Sequence, residues 1–404
     1  MIDGEEGIRW RVSLPGTGAS TPVIVGERLF LTAVDPELDA LVAMCLDAGT
    51  GEERWMEAVG SGYKPGGKGA LTSLGTRSNY ASPSAACDGE RVVFFFGNGD
   101  LVTFDLEGQE LWRRNLQQDH GDFCFQWTFS ASPTLVGGRV VLPILQRNSP
   151  VGGLGKSGAE SFLLGLDADT GEPAYRVLRP SAARMESLES YATAIPYTGA
   201  EGREELLVVG GDVITGHAPD TGEELWRWGT WNEGHREQWW RVVPSVVVGG
   251  GVALVCAPKR APVYAVALGG SGTLEADAVV WQSEGRANPV SSDVPTPLFY
   301  GGAFYVLSDV RESLSRVDPK TGKVAWTTEL PGRDLWRASP TGADGRIWLL
   351  NHVGLLVAVD AQSGKILLES LLGNPDDDQV RASVVAANGC LYVRTEEELI
   401  CIGS

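Results

Sequence analysis

The chain has 404 residues, with 52 Asp and Glu against 33 Lys and Arg and a formal net charge of −19. So large an acidic excess repels nucleic-acid phosphates and anionic membrane surfaces, which excludes both as expected partners. Its 52 glycines, 22 prolines and 43% hydrophobic residues suit many short strands joined by tight turns, and no apolar run is long enough to span a membrane.

The first element, IRWRV (Ile8 to Val12), reads as a strand with no strand before it. Hairpins of the form strand–Asp-x-x-[Thr/Ser]-Gly–strand–Trp follow, clearest at Leu46 to Trp55, His217 to Trp226 and Val317 to Trp326. Worn copies end at Trp112, Tyr175, Trp281 and Leu368. Asp and Ser/Thr side chains bond backbone two residues on, and Gly supplies the positive φ that closes the turn. The terminal aromatics are expected to pack against the next unit, cementing neighbours together.

A second repeat precedes each hairpin. Short Ser/Thr/Pro/Ala segments begin near Gly18, Asn79, Phe129, Tyr191, Arg241, Asp293, Trp336 and Val380. Eight starts stand against seven complete ends, and the missing end is the strand carrying Trp10. Two further strands lie in each unit, so the count predicts an all-β, eight-bladed propeller of four-stranded antiparallel blades. One domain, 1–404, is closed by the N-terminal strand completing the last blade, which removes exposed sheet edges.

None of the six cysteines forms a CxxC or vicinal pair, and most lie in apolar strand segments. Buried free thiols are expected, with a Cys390–Cys401 bridge as the alternative. His120 and His235 fit no local zinc spacing and read as exposed loop residues, while His352 reads as a strand-turn residue. No metal site is expected from them.

The candidate site is the channel mouth, where residues just ahead of the inner strands are aromatic and charged. These are Arg77, Asn79, Tyr80, Trp127, Glu189 and Tyr191, followed by Trp239, Trp240, Arg241, Asp293, Trp336, Arg337 and Arg381. Aromatic planes beside Arg and carboxylates suit a peptide side chain, a glycan or a planar cofactor. Bulky side chains that simply plug a wide channel are the alternative. The glycine-rich insertion Ser149 to Ala159 is expected to open on the same face.

The rhythm of Ser-Pro starts, Asp-Gly turns and terminal Trp resembles the pyrroloquinoline-quinone-type (PQQ-like) β-propeller family, in its BamB-like branch, over essentially the whole chain. That resemblance implies one of two roles: quinoprotein dehydrogenase, or non-catalytic scaffold of the BamB type. The dehydrogenases cover PQQ with a ring of adjacent cysteines and hold Ca²⁺ with Glu, Asn and Asp. This chain has no adjacent cysteines, and Glu189, Asn79 and Asp293 do not map onto the enzyme motif. The expectation is therefore a monomeric, non-catalytic scaffold without cofactor, binding a protein, peptide or glycan in the periplasm or outside the cell. A start almost directly on a strand fits Met1 being an expression start placed after a removed leader or anchor. A PQQ/Ca²⁺ oxidoreductase acting on alcohols or sugars is the first alternative. A propeller-type polysaccharide lyase or hydrolase using Asp293, Glu189 and Tyr191 is the second.

Overall fold

The computed structural model describes residues 7–61, 78–199, 202–229, 231–285, 288–332, 334–375 and 379–403. Eight antiparallel sheets follow one another in the chain, as the repeat count requires. Blade one runs Val23–Val25, Arg28–Asp35, Ala40–Asp47 and Glu53–Ser61, from the channel outward. Blades two to seven span 86–115, 134–178, 195–228, 247–282, 298–329 and 341–371. Blade eight joins Val385–Ala387, Cys390–Arg394 and Glu398–Gly403 to the N-terminal strand Ile8–Ser13. Trp10 faces Cys401 in that last pairing, so the first strand does close the wheel.

The turns work as their residues dictate. Oδ1 of Asp47 accepts the N–H groups of Gly49 (2.8 Å) and Thr50 (2.9 Å), and Asp318 repeats this with Lys320 (3.1 Å) and Thr321 (2.9 Å). Hydrogen bonding to the ionised form holds both carboxyls below the usual range, Asp47 chiefly through Arg54 and Asp318 chiefly through the Thr321 hydroxyl.

All but one of the anchor aromatics then lie on the turn of the following blade. Trp55 donates Nε1–H to the Leu106 carbonyl at 3.1 Å, Trp112 to Ala168 at 2.9 Å and Trp281 to Pro319 at 2.8 Å. Trp326 bonds Gln362 at 2.9 Å, and Trp10 closes the circle on Ala48 at 3.3 Å. The turn glycine is needed twice over. Gly108 has φ +89°, and a Cβ there would stand 2.7 Å from the Trp55 ring. Gly108→Ala should therefore cost roughly 3 kcal/mol, adding steric overlap to left-handed strain. Gly26→Ala, at φ +60° with open space around it, should cost only about 1 kcal/mol. Urea unfolding of the two variants checks the difference.

Two anchors depart from the pattern, and the neighbouring blade explains both. Leu368 faces blade eight, where the chain termini replace the hairpin turn, so no turn exists for an aromatic to cover. Blade five likewise lacks the Asp-Gly turn. Its longer connection sends Gly272–Thr273 across to pair in parallel with the outer strand of blade four, which becomes five-stranded. Trp226 is consequently fully buried and donates to Oε2 of Glu205 in its own blade at 2.5 Å. It still packs, as expected, in the core shared with blade five, and lacks only a turn backbone to bond.

The hydroxyl starts form a second closure, at the axis. The backbone N–H of Thr21 donates to the Ser84 hydroxyl oxygen (2.9 Å), Ser84 to Ser132 (3.0 Å), Ser132 to Thr193 (3.1 Å) and Thr193 to Ser245 (3.0 Å). Ser245 continues to Thr296 (3.0 Å), Thr296 to Ser339 (3.0 Å), Ser339 to Ser383 (3.0 Å), and Ser383 returns to Thr21 (3.1 Å). Eight hydrogen bonds thus circle the channel, one per blade boundary.

All six cysteines are free thiols. Cys390 pairs across the ladder with Gly403, and Cys401 with Tyr392, so the two thiols lie diagonally rather than opposite one another. Diagonal positions put β-carbons further apart than a disulfide spans.

Burial depresses two histidines. His217 lies inside blade four with both ring nitrogens hydrogen bonded, to the Gly222 carbonyl (2.9 Å) and the Thr215 hydroxyl (2.8 Å). Desolvation pulls it from 6.5 to about 4, and does the same to His352. The unfolded chain therefore binds more protons than the folded one in this range. Each imidazole leaves stability intact above pH 6.5 and withdraws it as pH falls toward 4. At pH 4.5 the loss should reach roughly 2–3 kcal/mol per histidine. His217→Gln should flatten the pH dependence of the urea midpoint between pH 7 and 4.5 by about that amount.

Candidate functional site

A cavity of about 330 Å³ occupies the channel. Seven of the eight ring hydroxyls line it, Ser132 being the exception. In an extended strand, residues two apart face the same side. The position two before each hydroxyl accordingly lines the cavity as well: Tyr191 in blade four, Val243 and Val294 in five and six, Arg337 in seven and Arg381 in eight. Trp127 and Arg241 complete the mouth. Among the described residues the lining holds three arginines and no carboxylate.

The sequence candidates divide accordingly. Trp127, Tyr191, Arg241, Arg337 and Arg381 meet at the cavity. Asp293 stands behind Arg241, which holds both its oxygens at 3.1 Å, and also accepts the Lys259 N–H at 2.8 Å. Trp240 is half-buried against the core between blades four and five, its N–H on the Ser187 hydroxyl at 2.8 Å. Trp239 is 51% exposed, with the Arg147 guanidinium 5.8 Å from its ring.

Three more candidates stand off the channel. Trp336 is fully buried between blades six and seven, because it sits one residue out of phase with Arg337. Tyr80 is buried between blades one and two, beside a smaller cavity. Asn79 folds its own loop, its Oδ1 accepting the Ala81 N–H at 2.9 Å. Arg77 lies outside the described residues.

Glu189 is fully buried directly behind Tyr191. It accepts hydrogen bonds from Arg147, from the Tyr191 hydroxyl and from the Gln126 N–H (3.1 Å), while Arg147 also reaches Gln126. The Trp127 N–H donates to the Tyr191 oxygen at 3.2 Å, and its indole N–H to Glu186 at 3.0 Å. Burial pushes the Glu189 carboxyl up against the pull of Arg147, and pushes the Tyr191 hydroxyl well above its ordinary range. Tyr191 is therefore held as a proton donor to Glu189, oriented by the network rather than poised to ionise. Sequence reading missed Arg147, Gln126 and Glu186. A charged Arg closing the apolar run VVLPILQR was the one available signal.

The insertion 149–159, expected to open on the mouth face, packs on the loop entering blade three, where the Cys124 thiol donates to the Lys156 carbonyl at 3.4 Å. The Arg147 N–H bonds the Cys124 carbonyl at 3.1 Å, and Gly155 packs against Cys124. The two loop histidines are less exposed than expected. His120 sets its ring edge-on to Phe162, 5.2 Å away, and His235 bonds Asp212 at 2.8 Å. No cluster of three metal-ligating His, Cys, Asp or Glu exists among the described residues.

The family model described as outer membrane protein assembly factor BamB matches residues 2–151 and 310–402, more than half of the chain. This protein belongs to that PQQ-like propeller family. No curated protein matches its sequence. Among solved structures it is similar to BamB from Moraxella catarrhalis, with a TM-score of 0.64 at 12% identity, covering 98% of this chain and 97% of that one. A europium-containing methanol dehydrogenase is similar at 0.68 and 12%, with 98% and 93% covered. The quinohemoprotein alcohol dehydrogenase of Comamonas testosteroni scores 0.64 at 15%, with 98% and 76% covered. Likeness at such identities establishes the fold, which scaffold and dehydrogenase share.

Glu189, Asn79 and Asp293 are each engaged by separate partners in different blades, and the chain carries no adjacent cysteines.

Proposed function

We propose that this member of the BamB-type family is a non-catalytic binding propeller whose channel mouth receives a peptide segment of a partner protein. The observation that carries this reading is the mouth itself: an aromatic wall of Trp127 and Tyr191 facing Arg337 and Arg381 across a hydroxyl floor. Such a surface recognises mixed apolar and acidic groups. The candidate acids for chemistry, Glu189 and Asp293, are held behind that surface by arginines. A periplasmic or extracellular monomer is the setting we propose, in which the acidic exterior keeps the protein dispersed.

Selection of a displayed random peptide library on the purified protein tests the reading. One sequence family should emerge that binds wild type and fails on Arg337→Glu/Arg381→Glu. Binding confined to a glycan array would replace the peptide with a sugar. Thermal stabilisation by PQQ with Ca²⁺, together with alcohol- or sugar-dependent dye reduction, would overturn the proposal in favour of an oxidoreductase.

A further inference from the structure

The smaller cavity beside Tyr80 has a volume of about 190 Å³ and lies among the loops that enter blades two and three. Phe123, Phe125 and Phe129 wall it together with Tyr80, and Leu154 of the insertion lines it as well. Phe125 stacks on Phe129 at 4.8 Å, and Phe123 meets Phe129 edge-on at 5.3 Å. One short segment separates this cavity from the channel. Trp127 and Ser130 line the channel, whereas Phe125, Thr128 and Phe129 line the smaller cavity. Thr128 makes that division at φ +76°, a backbone region that β-branched residues seldom occupy. It is 5% exposed, and its hydroxyl has no hydrogen-bond partner. A buried hydroxyl left so is destabilising, and a bound group that pairs with it removes that cost. The half-buried Gln117 amide, by contrast, is satisfied: it donates to the Asn98 carbonyl and accepts the Phe123 N–H, both at 2.7 Å. The rim carries one charge of each sign. Asp122 lines it, and the Lys156 ammonium lies over Gly121, 3.3 Å from where a Cβ would stand. Opposite charges so placed favour neither a cationic nor an anionic ligand.

We propose that this cavity binds a single neutral aromatic ring bearing a hydroxyl, a phenol group, with Thr128 as its hydrogen-bond partner. An apolar cavity of about 150 Å³ holds benzene, so the volume here admits one ring with a short substituent. Aromatic walls receive a ring by edge-to-face and offset-stacked contact. The Thr128 hydroxyl can donate to the phenol oxygen or accept from it. The phenol is the tyrosine side chain of a peptide lying across Trp127 in the mouth. That source rests on the peptide reading, whereas the chemistry of the cavity stands on its own lining.

The probe is p-cresol, the tyrosine side-chain analogue, with toluene as the phenylalanine analogue and n-butylamine as the lysine analogue, each titrated by ligand-observed NMR. Wild type should bind p-cresol saturably and about tenfold more tightly than toluene, the worth of one buried hydrogen bond. Thr128→Val keeps the shape and removes the hydroxyl, so it should bind toluene as wild type does and lose the preference for p-cresol. Leu154→Trp, on the insertion, should fill the cavity and bind neither. No saturable binding of p-cresol by wild type, undiminished binding by Leu154→Trp, or a preference that survives Thr128→Val would overturn the site. Tighter binding of n-butylamine than of p-cresol would overturn it too. Peptides selected on wild type should contain a tyrosine and compete with p-cresol. Binding of p-cresol that no selected peptide displaces keeps the site with a free phenol as its ligand and removes the peptide as its source. Failure of p-cresol to bind while peptide selection succeeds overturns the site and leaves the peptide reading of the mouth intact.

Discussion

Deleting residues 1–13 should yield a protein that no longer unfolds cooperatively and that aggregates on expression. The strand Ile8–Ser13 is the outer strand of blade eight, and without it the strand Glu398–Gly403 becomes an open edge. An unpaired edge of this kind templates association with other chains. The deletion also removes Trp10, whose indole bonds Ala48 of blade one and packs on Tyr392, the latch between last blade and first. Trp10→Ala isolates that part of the effect. For a half-buried Trp the loss should be about 3 kcal/mol, the lower end of large aromatic truncations. Size-exclusion chromatography reads the deletion, and urea unfolding reads the point variant. A monomeric, cooperatively folded 14–404 chain would show that ring closure is dispensable.

Arg147→Ala should be the most damaging single substitution near the mouth, at roughly 3–5 kcal/mol. It strips the guanidinium from Glu189, a carboxyl with no solvent exposure whose other hydrogen bonds come from Tyr191 and the Gln126 backbone. Burial already pushes that carboxyl up, so without Arg147 it takes a proton to fold at neutral pH. Stability of the variant should then fall as pH rises, the sign opposite to that of the histidines. Glu189→Gln placed on Arg147→Ala should recover part of the loss and abolish the added pH dependence. Urea unfolding of the single and double variants at pH 5 and 8 measures both. If the double variant is no better than Arg147→Ala, the penalty comes from lost packing and not from a stranded charge.

The placement of the candidate residues shows where sequence reading reaches. Arg337 and Trp336 are neighbours in the chain, yet one lines the channel and the other fills the core between blades. Strand alternation separates them once the ring hydroxyl is taken as the register mark: Tyr191, Arg337 and Arg381 all stand two residues before it. Grouping residues merely as ahead of the inner strands loses that phase. Trp226 and Leu368 teach a related lesson, because what an anchor must be depends on the turn presented by the next blade.

The fold and its closure were determined by the sequence alone because their signals are local. An Asp oxygen bonding the turn backbone recurs in five blades, a Gly at positive φ in six, and a hydroxyl ahead of the inner strand in all eight, and reading them together yields the wheel. The site was decided by tertiary structure. Glu189 meets Arg147, and Asp293 meets Arg241, across blade boundaries that no spacing in the chain encodes. Which side chain faces the channel and which stands behind it follows from how neighbouring blades pack.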